Sequence, residues 1–282
     1  MNHKEKDLER VSFGIAVMFG LYWTYSCFIK RYLPISDSLK TAVGLGVLYV
    51  IGLGFFLCIT QKISPCKYDK KKIPVKTVFL CFLLQFNSIL VFTMLVNVSA
   101  ALGLGSIPAD SSALSGYMLF MLLLFNPVVE ELVFRKLFAR KLLKYGERFY
   151  ILASSFCFAV VHGVSLGIPQ IVYTFILGMI WSYLTVKTGD IKLAIFMHGL
   201  SNLFGSIITQ ALLGISLTAA GIYSMILFLL GITGLVLFLV NRKKIVLDGS
   251  TGLVKKAVIK DVLANKGVLF FAGLTGIVML LK

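Results

Sequence analysis

Apolar residues in this chain do not alternate with polar ones at the period of a strand. They come in long runs of about twenty, separated by short polar stretches. A helix needs about twenty such residues to cross a hydrocarbon layer roughly 30 Å thick. The runs fall at 11–29, 41–60, 75–102, 114–134, 149–164, 168–186, 193–213 and 219–240, which predicts eight helices. A ninth run, 268–281, is short for a full span. The expected fold class is therefore an all-α polytopic membrane protein with about eight transmembrane helices plus a short C-terminal apolar segment. Connections between runs are short and there is no internal repeat, so residues 1–282 read as one helical membrane domain with a basic segment at 241–266.

The polar stretches orient these helices. The segment between the second and third runs holds Lys62, Lys67, Lys70, Lys71, Lys72 and Lys76, whereas 103–113 holds neither Lys nor Arg. Basic loops stay on the cytoplasmic side. Counting alternately puts 136–148, 187–192, 241–266 and the amino terminus there too. Lys30, Arg31 and Lys40 run against the rule.

Composition agrees with a membrane solvent. The chain is 58% hydrophobic with a mean hydropathy of +0.92, more apolar surface than one soluble core of this size can hide. Its formal charge of +16 would suggest nucleic acid in a soluble protein. Here the basic loops account for it, and no nucleic-acid partner is expected. Cys27, Cys58, Cys66, Cys81 and Cys157 are scattered without CxxC spacing, so neither a disulfide framework nor a zinc knuckle is expected. The first run follows Lys4, Lys6 and Arg10 but continues to Ile29 without a small-x-small cleavage site, and reads as an uncleaved first helix.

Against this background a few polar residues stand out. Glu130 and Glu131 end the fourth run, and ionisable groups buried in hydrocarbon cost a few kcal/mol each at the least, so they mark working sites. Two of the three histidines, His162 and His198, lie within apolar runs, as does Asn202. Residues four apart share a helix face, so Glu131 can pair with Arg135. Glu130, about a hundred degrees round the helix, stays free to act as a general base. His198 and Asn202 lie one turn apart. Glu130 and His162 each lie sixteen residues from Gly146, so a hairpin turning there sets them level. Phe158, one turn from His162, is a pocket or packing residue. Pro127 removes a helical hydrogen bond just before the glutamates and predicts a kink there.

Glu130-Glu131-xxx-Arg135, Phe158-xxx-His162 and His198-xxx-Asn202 together resemble the CAAX protease and bacteriocin-processing family, also called Abi, which includes the Ras-converting CAAX endopeptidases. The likeness covers about 114–210. It implies an intramembrane endopeptidase in which Glu130 is the catalytic glutamate, His162 its partner in activating water, and His198 with Asn202 the oxyanion hole. The implied partners are a peptide or membrane-protein substrate and the lipid bilayer. No cofactor is expected, and short loops without a sorting signal suit a bacterial plasma membrane. Two alternatives stay open: zinc held by the same Glu and His residues, although no HExxH pair is present, and a non-enzymatic immunity or regulatory protein that binds a peptide or sensor kinase. Nothing in the sequence fixes an oligomeric state.

Overall fold

A computed structural model describes residues 2–103, 114–252 and 255–281. Most of the expected outer loop, 104–113, lies outside the described residues. The helices are α1 (His3–Tyr32), α2 (Asp37–Thr60), α3 (Val75–Ala101), α4 (Gly116–Tyr145), α5 (Glu147–Thr188), α6 (192–213), α7 (Leu217–Lys244), α8 (Lys256–Leu263) and α9 (Lys266–Leu281). Among the described residues six of them, α1 to α5 and α7, are long and apolar enough to cross a membrane. The count reaches seven if α8 and α9, bent by 61°, form one span. The fold is all-α and polytopic, apart from one two-stranded antiparallel hairpin of β1 (Val246–Leu247) and β2 (Ser250–Thr251).

The fifth and sixth apolar runs both lie in α5, which is a folded-back pair and not a straight rod. Its backbone leaves the helical region at Leu166 and Gly167, the latter at φ +70°, a value glycine reaches without a Cβ penalty. Contacts across the break run antiparallel: Lys187 with Glu147 at 3.1 Å, Ser182 with Ser154 at 3.2 Å, and Ile171 against Gly163. The seventh run is α6, in which His198, Ser201 and Asn202 dilute the apolar character.

A second antiparallel pair forms between α4 and the first arm of α5, turning at Gly146 (φ +115°). Ser154 donates to the Phe134 carbonyl at 2.6 Å and Tyr150 to that of Arg135 at 3.2 Å. The core packs around this pair, with Phe134, Phe138, Tyr150, Phe158 and Trp181 all fully buried.

The basic segments meet at one end of the bundle. Asp7 binds Lys144 and Tyr145; the Cys66 amide donates to Arg140 and the Lys71 amide to Thr188; Asn265 donates to Glu5. Lys30, Arg31 and Lys40 lie at the opposite end, at the far termini of α1 and α2. Part of 241–266 folds as the β1–β2 hairpin and helix α8. The Asp248 carboxylate accepts from the Glu147 and Arg148 amides that open α5, supplying acceptors to donors that a helix N-terminus leaves free.

Candidate active site

The site residues come from three helical segments, and each segment carries a local defect. α4 holds two π turns, Met121–Phe125 and Leu132–Leu137, on either side of Glu130 and Glu131. α6 has one, Leu203–Ile207, directly after Asn202. A π turn inserts one residue, rotates everything beyond it and frees a carbonyl, and such turns recur at functional sites. The kink expected at Pro127 takes this form: dihedrals stay helical from Phe120 to Leu132 and the mismatch is absorbed in the turn ahead of the proline.

Glu131 and Arg135 are both fully buried, and Arg135 Nε lies 3.1 Å from Glu131 Oε2. The guanidinium also sits 4.4 Å over the Phe158 ring and 5.7 Å from Trp181, so aromatic faces supply attraction where hydrogen-bond acceptors are few. Glu131 Oε1 lies 3.1 Å from His198 Nδ1. One carboxylate thus joins a cation on its own helix to an imidazole on α6. Spacing along the chain gives the first contact and cannot give the second, which spans 67 residues.

Glu130 makes no such pair. Its side chain is 18% exposed, and its Oε2 has no hydrogen-bond partner. That oxygen lies 3.6 Å from His162 Nε2 and 3.8 Å from His198 Nε2. His162 Nδ1 is 2.8 Å from the Phe158 carbonyl. A carbonyl only accepts, so this nitrogen carries the hydrogen, and the same reasoning applies to His198 Nδ1 on the Glu131 carboxylate. Both imidazoles therefore turn Nε2 to the same Glu130 oxygen, with ring orientation fixed from behind.

Phe158 stands at the centre, 4.5 Å from the His162 ring, 6.1 Å from His198 and 5.8 Å from Trp181. Trp181 stacks on His198 at 4.2 Å and 19° and sets the plane of that imidazole. Sequence reading misses Trp181, because a tryptophan in an apolar run carries no sign of what it will face. Asn202 Nδ2 donates to the Leu122 carbonyl at 2.7 Å, leaving the second amide hydrogen available.

The arrangement supplies a carboxylate without a hydrogen-bond partner, two oriented imidazoles and an amide, within a largely apolar wall. Such a group can take and return a proton and stabilise a developing oxyanion. No curated protein and no solved structure matched the chain. The model of a family described as Rce1-like, type II CAAX prenyl endopeptidase Rce1-like, matches residues 112–204. That is about a third of the chain, and it contains every site residue named above. The segment that carries the site of this multi-pass membrane protein is thus similar to the CAAX prenyl endopeptidases, a family of peptidases.

Proposed function

We propose that the chain is an intramembrane endopeptidase hydrolysing a peptide bond of a peptide or membrane-anchored protein, with water activated by Glu130 and His162. The observation that carries this reading is the convergence of both Nε2 atoms on one Glu130 oxygen. In the reaction Glu130 takes a proton from water, and the oxygen attacks the scissile carbonyl carbon. His162 Nε2 and Glu130 share that proton and deliver it to the departing amine as the C–N bond breaks. His198, oriented through Nδ1 by the Glu131 carboxylate, turns Nε2 towards the oxyanion, joined by the second amide hydrogen of Asn202. Arg135 neutralises Glu131 in the apolar interior. The basic end of the bundle faces the cytoplasm of a bacterial cell, with the amino terminus inside, and the substrate enters from that side.

Replacing Glu130 by Gln keeps shape and removes the base. Comparative proteomics of cells carrying wild type or Glu130→Gln at equal expression is expected to reveal an uncleaved precursor in the variant, with processing reduced by at least about 10³-fold. Unchanged processing favours the non-enzymatic alternative. The fixed Nδ1 contacts also suit a second reading, since metal-bound imidazoles have the other nitrogen held in this way. Glu130, His162 and His198 would then hold zinc, which would act as a Lewis acid. Among the described residues no group of three His, Cys, Asp or Glu side chains is arranged to hold an ion. Processing that stops in a strong chelator and returns with zinc would select that reading; processing that persists with no metal in the purified protein selects the carboxylate–imidazole mechanism.

A further inference from the structure

The hydrogen bond from Asn202 to Leu122 has a cause in the sequence. In the π turn Met121–Phe125 the Asn126 amide donates to the Met121 carbonyl, five residues back. The next donor in that register belongs to residue 127 and would reach Leu122, but residue 127 is proline and has no N–H. The α-helical donor for Leu122 is the Asn126 amide, already turned to Met121. Leu122 is therefore left with a carbonyl that α4 cannot satisfy, and Leu123 loses its α-helical donor to the same proline. Both carbonyls face α6. A Cβ built on Gly199 would sit 3.1 Å from the Leu123 oxygen, so glycine lets the backbones meet. One turn along, Asn202 Nδ2 reaches Leu122 at 2.7 Å.

His198 lies on the same face of α6, one turn before Asn202, and its Nδ1 is 3.1 Å from Glu131 Oε1. Two contacts thus clamp α6 to α4 on opposite sides of Pro127: an amide on the carbonyl ahead of it and an imidazole on the carboxylate behind it. Sliding α6 by one residue would move it about 1.5 Å and break both.

We infer that Asn202 is a positioning residue, capping the backbone carbonyl opened by Pro127 and so fixing the axial register at which His198 meets Glu130 and Glu131. The inference rests on the peptidase reading for its consequence on turnover, and on geometry alone for the cap. An amide whose sole task is to bind an oxyanion has no dependence on residue 127. A capping amide does, because an alanine at 127 returns an N–H to the gap.

The experiment is a double-mutant cycle on the full chain, Asn202→Ala and Pro127→Ala singly and together. Melting temperature is read in detergent, and processing of the precursor identified through Glu130→Gln is read in membranes per folded molecule. Asn202→Ala alone is expected to lower the melting temperature by about 4 °C and processing by about 10²-fold. In the Pro127→Ala background the same change is expected to cost under about 1 °C, and its penalty on processing is expected to be about tenfold smaller, the remainder being the oxyanion contact that is still lost. If Asn202→Ala does not accumulate, recovery of accumulation in the double variant is the supporting result. An equal penalty in both backgrounds overturns the cap, and coupling in melting temperature without coupling in processing overturns the positioning role. Should Glu130→Gln process normally, the peptidase reading falls while the melting-temperature arm still decides the cap.

Discussion

Two arginines in this molecule are buried in opposite ways. Arg135 lies inside the bundle against Glu131, with rings on its faces, a 3.5 Å contact to Ser154, and Nε and Nη2 without hydrogen-bond partners. Arg148, almost as buried, sits at the basic end and donates to the carbonyls of Leu247, Ser250, Thr251 and Gly252, with the Asp248 carboxylate 3.4 Å away. The first is held by charge and aromatic faces, the second by directed hydrogen bonds to a β-hairpin. A group held by charge depends on the ionisation of its partner, and that partner here also anchors His198. A group saturated by backbone carbonyls ties two pieces of chain together and does nothing to a proton. Burial of an arginine is thus no guide to its role; the identity of its acceptors is.

The largest effect that follows is at Arg135. Replacing it with Met leaves the Glu131 carboxylate in the interior with only His198 for company, a change that costs about 3–5 kcal/mol when one partner of a buried pair is removed. Loss of folded protein in membranes is the expected outcome. Arg135→Lys should rescue little, because an ammonium has neither the flat face that lies over Phe158 nor the same reach to Glu131. A well-folded, active Arg135→Met protein would erase the distinction between the two arginines.

Removing both charges sharpens it. Glu131→Gln with Arg135→Met replaces a buried ion pair by neutral groups of similar size, which is often close to neutral in stability. Its melting temperature should exceed that of Arg135→Met. Processing should stay low, by about 10²-fold or more, because the carboxylate that orients His198 is gone. Recovery of both properties together would mean that Glu131 serves stability alone.

How much of this was legible before the structure depended on the distance over which each contact acts. The apolar runs gave the helices, since the length a bilayer imposes is local. Glu131 with Arg135 is a one-turn spacing, and Glu130 opposite His162 follows from a hairpin with its turn at Gly146. The bond from His198 to Glu131 and the cap on Leu122 join residues 67 and 80 apart in the chain, and the stacking of Trp181 on His198 crosses from α5 to α6. Periodicity carries no information at that range. The proline was visible, but its effect was not: a kink and a π turn are both answers to a missing N–H, and the partner on α6 selects between them. The hairpin on Arg148 was hidden differently. Asp248-Gly249 is a hairpin signal, with both residues at positive φ, yet a search for twenty-residue runs passes over strands of two.

Arg148→Met should therefore cost less. The freed carbonyls lie at the end of the bundle, where water can satisfy them, so the loss is about 1–3 kcal/mol. Processing per folded molecule should stay within about twofold of wild type. Protease accessibility of 241–266 should rise, which limited proteolysis measures. Abolished processing in a folded Arg148→Met protein would make the clasp part of the active site and break the comparison from the other side.

The smallest effect is at the exposed pair Lys70–Asp190, at 3.2 Å, with the Lys70 side chain 74% exposed. Burial pushes the Asp190 carboxyl up, but the Lys70 ammonium and the amides of Lys192 and Ile191 outweigh it and hold it below its ordinary 3.8. A carboxyl depressed in the folded state stabilises above its unfolded value, and that contribution is lost as the pH falls through the folded one. The melting temperature of Asp190→Asn should therefore lie slightly below wild type from neutral pH down to about 5. The gap should begin to narrow as the pH drops below 3.8 and close only below the lower, folded value. Raising the salt should shrink the gap at neutral pH, because exposed pairs are screened. A gap that ignores salt and survives acid would mean that Asp190 works through its backbone turn with Thr188, whose hydroxyl donates to the Asp190 carbonyl at 2.8 Å, and not through its charge.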